Sequence, residues 1–398
     1  MEKKLIQLVK KRLQLINDLR VNILLDYNRG QRCNQKDDCS SSSKGLLQDL
    51  VDKSNIYFFL SPAFCSYFHQ HLTLPIPFLN ECISLQHMKC YIFDDNLIIS
   101  GANLSADYFI NRQDRYIYIN NCPDLCNYLE SVIKLIGKVA FKLDADGKLI
   151  THQSDYFNQF NGKQFVKTFK ENLSQIQSKY QSLDELAITK VNGETLIVPT
   201  MQMKYLEITE DFDLTSSLFN LSRHSDQINH LVSGYFNLTK EYIDLLTQLN
   251  VSTRLNVLAA SEEVNGFFNA GGFKYLVPKI YTDKSKKFLE IIKKTSSNIH
   301  FYTYSRSNWT FHAKGFWTYL DDGSYVTSIG SSNFNYRSVE RDLEMQFLIV
   351  TRNSTLITKL ENERKRIWKY ASPIEDANNL PSISYGVKLF SSIFGNYF

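Results

Sequence analysis

The sequence has 398 residues, of which 43% are hydrophobic and 22% are charged. These ordinary proportions exclude a disordered or fibrous protein, and at roughly 150 residues per domain the length predicts two domains, or three at most. Lys and Arg number 45 against 41 Asp and Glu, so the net charge is only +4. Such a balance is not that of a dedicated nucleic-acid-binding protein, and we expect no nucleic-acid partner.

The seven cysteines all lie in the first third of the chain. Their odd number, and their absence from the second half, argue against the disulfide framework of a secreted protein. Cys122 and Cys126 have a spacing that occurs in metal sites, but no second pair of ligands stands nearby. We therefore predict no zinc site.

No hydrophobic run reaches the roughly 18 residues that a transmembrane helix needs. Residues 1–18 predict a helix with Leu5, Val9 and Leu13 on one face and lysines on the other. This basic, amphipathic helix is similar to a mitochondrial presequence. Because it leads straight into a strand at 20–26, we interpret it as part of the fold.

Strands and helices alternate along the chain, which predicts an α/β fold. In the first half we predict strands at 20–26, 56–60, 89–93, 97–100 and 115–119, and helices at 46–52 and 124–141. In the second half we predict strands at 196–198, 255–259, 300–304, 315–319, 325–329 and 345–350, and helices at 240–249, 284–294 and 354–370. A polar boundary at 143–160 and a helix at 165–180 separate the two series. The predicted segments are a first half (1–150), a connecting segment (151–193), a second half (194–371) and a C-terminal segment (372–398).

One constellation of polar residues occurs in both halves. Each copy has His-x-Lys, a strand, a turn, a second strand, a Gly and Asn pair, and then a carboxylate. The first copy contains His87, Lys89, Asp94, Asn103 and Asp114, and the second contains His312, Lys314, Tyr319, Asn333 and Glu344. The interval from Asn to carboxylate is 11 residues in both copies (103 to 114 and 333 to 344). A single His-x-Lys would be uninformative, but two copies in the same order indicate related halves.

The repeated residues suit phosphoryl chemistry. On a strand, residues i and i+2 face the same side, so each His projects together with its Lys. Two such halves facing each other would surround one pocket with two imidazoles, two ammonium groups and two amides, which stabilise charge on phosphoryl oxygens. One imidazole can attack phosphorus while the other transfers a proton, and a downstream carboxylate can orient each ring. No metal or other cofactor is required.

With its surroundings, this repeat resembles the phospholipase D superfamily, and within it the eukaryotic phosphatidylglycerophosphate synthase branch. The resemblance covers nearly the whole chain and rests on residues 25–32, 85–89, 100–116, 202–204, 234–239, 264–268, 309–315 and 336–344. Tyr319 stands where the superfamily usually has Asp, and Gly-Ala-Asn at 101–103 replaces Gly-Ser-x-Asn; both are typical of the synthase branch. The chain also begins later than the family pattern, so we expect the first strand of that pattern to be missing, which would expose a sheet edge.

The resemblance implies two phospholipase D-like α/β sandwich halves, related by a pseudo-twofold axis, with the active site at their interface. It also implies synthesis of phosphatidylglycerophosphate and CMP from CDP-diacylglycerol and glycerol 3-phosphate, through a phosphatidyl-histidine. We take His87 as the nucleophile and His312 as acid and base, although the reverse stays open. The implied phosphoryl-binding groups are Lys89, Lys314, Asn103, Ser331 and Asn333. The implied orienting carboxylates are Asp114 and Glu344. Asp94, in a structural role, and Tyr319 complete the catalytic motifs.

The resemblance has further implications for partners and location. The acceptor's phosphate needs cations, for which Arg112, Arg115, Arg337 and Arg341 are candidates unless they form structural salt bridges. The lipid substrate requires contact with a membrane surface, and the aromatic segment 387–398 either docks there or covers an apolar groove. The family works in phosphatidylglycerol and cardiolipin biosynthesis on the matrix face of the mitochondrial inner membrane.

Two other functions compete with the transferase. The first is a phospholipase D-type phosphodiester hydrolase, which would use the same site with water as acceptor. Tyr319 and the sequence Trp309-Thr310-Phe311 favour the synthase branch instead. The second is a catalytically inactive lipid-binding scaffold. The presence of both His, both Lys and both Asn residues argues against the scaffold, whereas the late beginning of the chain keeps it open.

Overall fold

The computed structural model describes residues 2–33, 39–65, 77–151, 163–190, 194–222 and 227–398. The connecting segment predicted at 151–193 therefore lies partly outside the described residues. In the first half, the helices are α1 (Glu2–Leu15), α2 (Tyr27–Gly30), α3 (Ser43–Leu47), α4 (Pro77–Ile83) and α5 (Pro123–Lys138), followed by the connecting helix α6 (Lys163–Lys190). The strands are β1 (Val21–Asp26), β2 (Ser54–Phe59), β3 (Cys90–Phe93), β4 (Asn96–Ser100), β5 (Arg112–Gln113), β6 (Tyr116–Ile119), β7 (Phe141–Leu143) and β8 (Leu149–Ile150).

In the second half, the helices are α7 (Glu210–Leu221), α8 (Lys240–Thr247), α9 (Leu276–Ile292), α10 (Tyr336–Glu340), α11 (Ser354–Trp368) and α12 (Tyr385–Phe394). The first five strands are β9 (Thr195–Met203), β10 (Ile208–Thr209), β11 (Ile228–Ser233), β12 (Arg254–Ala260) and β13 (Asn298–Tyr304). The others are β14 (Thr310–Phe311), β15 (Lys314–Tyr319), β16 (Tyr325–Gly330), β17 (Glu344–Thr351) and β18 (Ala371–Ile374).

The second half is built on a nine-stranded sheet with the order β10-β9-β17-β16-β15-β11-β12-β13-β18. Strands β11, β12 and β13 run parallel to one another, and the pairs from β10 to β15 are antiparallel. The three parallel strands carry buried apolar residues interspersed with polar ones. Strands β11 and β18 were not predicted from the sequence; both are short and carry polar residues or proline, which weakens a strand pattern.

The first half divides the equivalent strands between two small sheets. The first sheet has the order β1-β2-β7-β8, in which β1 and β2 are parallel. The second has the order β3-β4-β6 and is antiparallel. The first half therefore contains a parallel pair and an antiparallel three-stranded sheet, and the second half contains three parallel strands and a run of antiparallel ones. This mixture of helices and strands confirms the predicted α/β class. Strand β1 lies at the edge of its sheet, and among the described residues it pairs only with β2.

The two halves share one hydrophobic core. Leu97 and Ile99 of β4, together with the buried face of α5, pack against Met201 of β9, Ile329 of β16 and Phe347 of β17. Helix α1 belongs to the fold, as the sequence predicted, because Leu13 is buried in the core of the first sheet. The shared core fixes the halves against each other and hence fixes the geometry of the interface.

Three further features concern the cysteines and the helices. Cys33 and Cys39 form one disulfide, which the odd number of cysteines did not predict. Cys122 and Cys126, one turn apart at the start of α5, are free thiols with sulfur atoms 3.6 Å apart. Within the described ranges, each helix is too short or too polar to cross a bilayer.

Candidate active site

Each histidine-bearing segment pairs with a segment of the opposite half. Gln86 forms a parallel bridge with Leu343, and the backbone N–H of His87 donates to the carbonyl of Leu343 at 2.8 Å. In the equivalent position β14 pairs in parallel with β5, and the N–H of His312 donates to the carbonyl of Gln113 at 2.9 Å. These two short bridges place each histidine beside the carboxylate that follows the partner segment.

The histidines and carboxylates therefore pair across the interface. His87 Nδ1 lies 2.9 Å from Glu344 Oε2, and His312 Nδ1 lies 2.6 Å from Asp114 Oδ2. All four side chains are buried. The Ser338 hydroxyl also donates to Glu344 at 2.7 Å. The sequence identified both carboxylates as partners of the histidines, but it did not show that each one serves the histidine of the other half.

Burial keeps both imidazoles neutral. It lowers the pKa of His87 well below its ordinary value, and Lys89 and Arg29 add to the effect. It also lowers the pKa of His312 to about 3, with Lys314 adding to the effect and Asp114 opposing it. A neutral ring that donates from Nδ1 to a carboxylate keeps a lone pair on Nε2.

The pKa values of the two carboxylates shift in opposite directions. Burial alone would raise the pKa of Asp114, but Lys314 and His312 outweigh it and lower that pKa. Burial raises the pKa of Glu344 in spite of Lys89 and the hydroxyl groups near it. The His312 pair therefore holds the more firmly ionised carboxylate.

The two histidines differ in their tautomer constraints. Among the described residues, the hydrogen-bond partner found at His87 Nδ1 is Glu344 alone. His312 Nδ1 lies within hydrogen-bond distance of both Asp114 and the ammonium of Lys314, which is 2.7 Å away. One ring nitrogen makes only one of these bonds at a time, so His312 can exchange tautomers, whereas Glu344 holds His87 with Nδ1 protonated.

The lysines lie behind the histidines. Lys89 Nζ donates to the carbonyl of His87 at 2.5 Å, and Lys314 Nζ is 3.9 Å from Asp114 Oδ2. Burial lowers the pKa of both ammonium groups. A Cβ at position 101 would lie 2.7 Å from Lys314 Cδ, so only glycine lets the halves approach here.

A cavity of about 210 Å³ brings both histidines together with Asn103 and Asn333. Asn333 Oδ1 is buried and has no hydrogen-bond partner among the described residues. The rings of Tyr108 and Tyr235 each meet His312 edge-on, with centroids 5.3 Å apart. The cavity is also lined by Arg29, Arg32, Arg112, Gly266, Phe267, Lys274, Tyr281, Asn335, Arg337 and Asp342.

Seven predicted site residues do not line this cavity. Lys89, Lys314, Asp114 and Glu344 contact the histidines from behind, whereas Asp94, Tyr319 and Ser331 make no such contact. Asp94 is exposed in the β3-β4 turn with φ of 53°, and Tyr319 ends β15 with its ring 4.7 Å from that of Tyr325. Each is five residues beyond its motif lysine, roughly 16 Å along an extended strand. Ser331 is buried, and its hydroxyl bonds to the backbone of Met345. Tyr319 and Ser331 lie outside the cavity lining, so their catalytic and phosphate-binding roles stay predictions, and Asp94 occupies a turn position.

The structure divides the arginine candidates. Arg112 and Arg337 line the cavity. Arg115 is fully buried in an ion pair with Glu363 at 2.9 Å, and Arg341 stacks over the ring of Tyr397. Sequence reasoning missed Arg29 and Arg32, which also line the cavity. The available signal was their position in the polar turn that directly follows strand β1.

One described group of side chains has metal-ligand geometry. Ligand atoms of His87, Asp342 and Glu344 lie within 4.8 Å of one another. Glu344 already bonds His87, and Asp342 already bonds Arg337 at 3.0 Å and the backbone N–H of Leu85 at 2.9 Å. Because these bonds engage the ligand atoms, we assign no metal to the group.

A two-half α/β fold whose His-x-Lys segments meet in one cavity defines a phospholipase D-like protein. Residues 203–368 match the family described as cardiolipin synthase, PLD-like domain. The structure also resembles phosphatidylserine synthase from Haemophilus influenzae, with a TM-score of 0.67 and 18% identity, over 99% of this chain and 84% of that chain. This second likeness concerns the fold alone.

Sequence comparison identifies the family. The chain is 34% identical over 421 residues to the probable CDP-diacylglycerol–glycerol-3-phosphate 3-phosphatidyltransferase of Dictyostelium discoideum, an alignment that covers 100% of this chain and 71% of that protein. It is 33% identical to the mitochondrial enzyme of the same name from Bos taurus, over 96% of this chain and 72% of that protein. The chain belongs to the CDP-diacylglycerol–glycerol-3-phosphate 3-phosphatidyltransferase family.

Proposed function

We propose that this chain transfers the phosphatidyl group of CDP-diacylglycerol to glycerol 3-phosphate and releases CMP, as part of phosphatidylglycerol and cardiolipin biosynthesis. The observation that carries the proposal is the convergence of two neutral, carboxylate-bound imidazoles in one cationic cavity. Two such groups are what a double displacement at phosphorus needs. Membership of the family supplies the donor and the acceptor.

In the first step, His87 Nε2 attacks the diacylglycerol-side phosphorus. A P–N bond forms, the P–O bond to CMP breaks, and CMP leaves with the electron pair. The ring becomes a phosphatidyl-imidazolium, whose positive charge Glu344 stabilises through Nδ1–H. Asn103 and Asn333 donate to the phosphoryl oxygens, and the arriving anion favours the protonated forms of the two motif lysines.

In the second step, His312 acts as the base. CMP is a good leaving group and needs little protonation, whereas the hydroxyl of glycerol 3-phosphate must lose a proton as it attacks. His312 Nε2 accepts that proton, the new P–O bond forms, and the P–N bond to His87 breaks. Asp114 stabilises the imidazolium formed on His312. His312 accepts this proton in the tautomer that donates from Nδ1 to Asp114, and Glu344 holds the corresponding tautomer of His87 for nucleophilic attack.

The experiment supplies purified full-length protein with CDP-diacylglycerol, with and without glycerol 3-phosphate. We expect CMP release to depend on the acceptor and to equal the phosphatidylglycerophosphate formed. Release of CMP and phosphatidic acid at a rate that ignores the acceptor would identify the hydrolase instead. A folded protein that turns over no substrate would identify the inactive scaffold.

We also propose peripheral contact with a membrane through the C-terminal segment. Helix α12 covers an apolar groove on α9, where Val387 and Ser391 are buried and Asn237 donates to the carbonyls of Gly395 and Phe398. The opposite side of α12, here named the tail face, exposes Tyr385, Leu389 and Ile393. Exposed apolar side chains on an amphipathic helix suit the interfacial layer of a bilayer.

Charge on the tail face is expected to weaken membrane binding. Leu389 and Ile393 are more than half exposed, so aspartate at both positions leaves the fold intact but removes apolar area available to lipid. We expect the L389D/I393D protein to lose about tenfold or more in sedimentation with anionic vesicles, while activity on detergent-dispersed substrate persists. V251D, at an exposed position in a distant turn, is the control. Equal vesicle binding by all three proteins would contradict the proposed contact.

For location we propose the matrix face of the mitochondrial inner membrane. Support comes from the relatives of Bos taurus, Gallus gallus and Homo sapiens, which are named as mitochondrial proteins. Fractionation of cells with protease treatment of mitochondria and mitoplasts tests it. The protein should resist protease in both preparations and should be released from the membrane by alkaline carbonate.

A further inference from the structure

The active-site cavity has a strong excess of positive charge that the two-histidine chemistry does not use. Five of its lining side chains are cationic and one is a carboxylate; the cations are Arg29, Arg32, Arg112, Lys274 and Arg337, and the carboxylate is Asp342. The phosphoryl centre already has the amides of Asn103 and Asn333 beside it, and the motif lysines lie behind the histidines. The additional cations therefore suit a second anionic group.

We propose that Arg29 and Arg337, with Arg32 beside them, form a subsite for the phosphate dianion of the acceptor. This inference rests on the proposed transferase function. The subsite would hold glycerol 3-phosphate by its one charged group and so place its free hydroxyl toward the phosphatidyl-histidine. Water has no such group, so the subsite would separate transfer from hydrolysis.

An unused hydrogen-bond donor at this position supports the subsite. Arg337 Nε is buried and has no hydrogen-bond partner among the described residues. Arg337 binds Asp342 and the carbonyl of Glu81 through the single nitrogen Nη2. Arg29 Nε makes no hydrogen bond among the described residues, and its ion pair with Glu81 is long, at 3.6 Å. Arginine presents five donors in a planar fork that matches phosphate oxygens, so both side chains keep donors for an anion.

Three carboxylates stand beside the three guanidinium groups. Glu81 pairs with Arg29 at 3.6 Å and also contacts Arg32, and Asp342 pairs with Arg337. Asp26 interacts with Arg29 and Arg32, but burial raises its pKa and so disfavours its charged form. Arg112 and Lys274 add two further cations to the cavity lining. Burial lowers the pKa of Arg32 to about 10, and the charge of Arg29 adds to the effect.

The turn that carries Arg29 is fixed relative to His87. Asp26 Oδ1 accepts from the backbone N–H of Arg29 at 2.8 Å, and Asp26 Oδ2 accepts from the N–H of Gln86 at 2.9 Å. Gly30 packs flat against Phe58, whose ring a Cβ would strike. One buried carboxylate therefore ties the arginine turn to the segment that bears the histidine, which is the rigidity that a positioning subsite requires.

The test compares acceptors with and without the phosphate group. We expect Arg29→Gln to lower kcat/KM for glycerol 3-phosphate by about 10- to 100-fold, mainly through KM, because a charged hydrogen-bonding partner is lost. With glycerol as acceptor, the loss of kcat/KM should be at least ten times smaller. Arg29→Lys should keep part of the kcat/KM for glycerol 3-phosphate that Arg29→Gln loses. Arg32 is half-exposed, so Arg32→Gln should lower kcat/KM for glycerol 3-phosphate by a smaller factor. This variant replaces Arg29→Gln in the test if Arg29→Gln does not fold. The control is Arg352→Gln, an exposed arginine paired with Asp322.

The outcomes separate this subsite from the proposed function. Equal losses with glycerol and glycerol 3-phosphate, or a failure of Arg29→Gln to form the phosphatidyl-enzyme, would assign the arginines to the donor or to the fold and overturn the subsite. A wild-type protein that forms the phosphatidyl-enzyme but never transfers it to glycerol 3-phosphate would instead overturn the proposed function.

Discussion

Replacement of His87 by alanine should abolish labelling of the protein by the phosphatidyl group and reduce CMP release by about 10³-fold or more, because the P–N bond has no other place to form. Replacement of His312 should instead slow transfer and leave labelled protein that can be trapped. The measurement is a rapid-quench experiment with CDP-diacylglycerol labelled at the diacylglycerol-side phosphorus, stopped in alkali because phosphohistidine is labile in acid.

The control for both variants is His300→Ala. This histidine lies on β13, is exposed, and bonds only Asn298 among its described neighbours. It should label and turn over as the wild type does. Persistent labelling of His87→Ala together with none in His312→Ala would reverse the two roles. If both variants continued to turn over CDP-diacylglycerol in an acceptor-dependent way, the double-displacement mechanism would be contradicted.

The convergence of the repeated residues could be predicted from the sequence because it depends on local geometry. Each His and Lys lie two residues apart on extended backbone, and each Asn follows the next strand of a hairpin. Gly101 shows why the motif needs its glycine, since the Lys314 side chain occupies the space that a Cβ would fill. These constraints involve residues close together in the sequence. A repeated motif therefore predicts the same local geometry in both halves.

The parts that could not be predicted depend on contacts between the halves. The crossed carboxylate pairs follow from the bridges of Gln86 with Leu343 and of β14 with β5, which lie more than 190 residues apart in sequence. Arg29 reaches the cavity because Asp26 joins its turn to the backbone of Gln86. The position of Tyr319 was carried over from the family motif, and strand length places it roughly 16 Å from the motif lysine.

The crossed pairs predict which carboxylate affects which step. Glu344→Gln should slow formation of the phosphatidyl-enzyme by about 10²- to 10⁴-fold, because the ring of His87 loses the acceptor that fixes Nδ1–H and stabilises its positive charge. Asp114→Asn should leave labelling fast and slow its decay to product, because the base His312 loses its ionised partner. Both rates come from the same rapid-quench experiment with the same phosphorus-labelled donor.

The design distinguishes crossed pairing from pairing within each half. Glu290→Gln, an exposed carboxylate on α9, is the matched control and should label and turn over normally. Glu344→Asp keeps the charge but shortens the side chain by one methylene, so its loss should be smaller than that of Glu344→Gln if charge stabilisation matters. If each carboxylate served the histidine of its own half, Asp114→Asn would block labelling and Glu344→Gln would accumulate label. That reversal would contradict the geometry, because the backbone bridges that bring Leu343 beside Gln86 also bring Glu344 to His87.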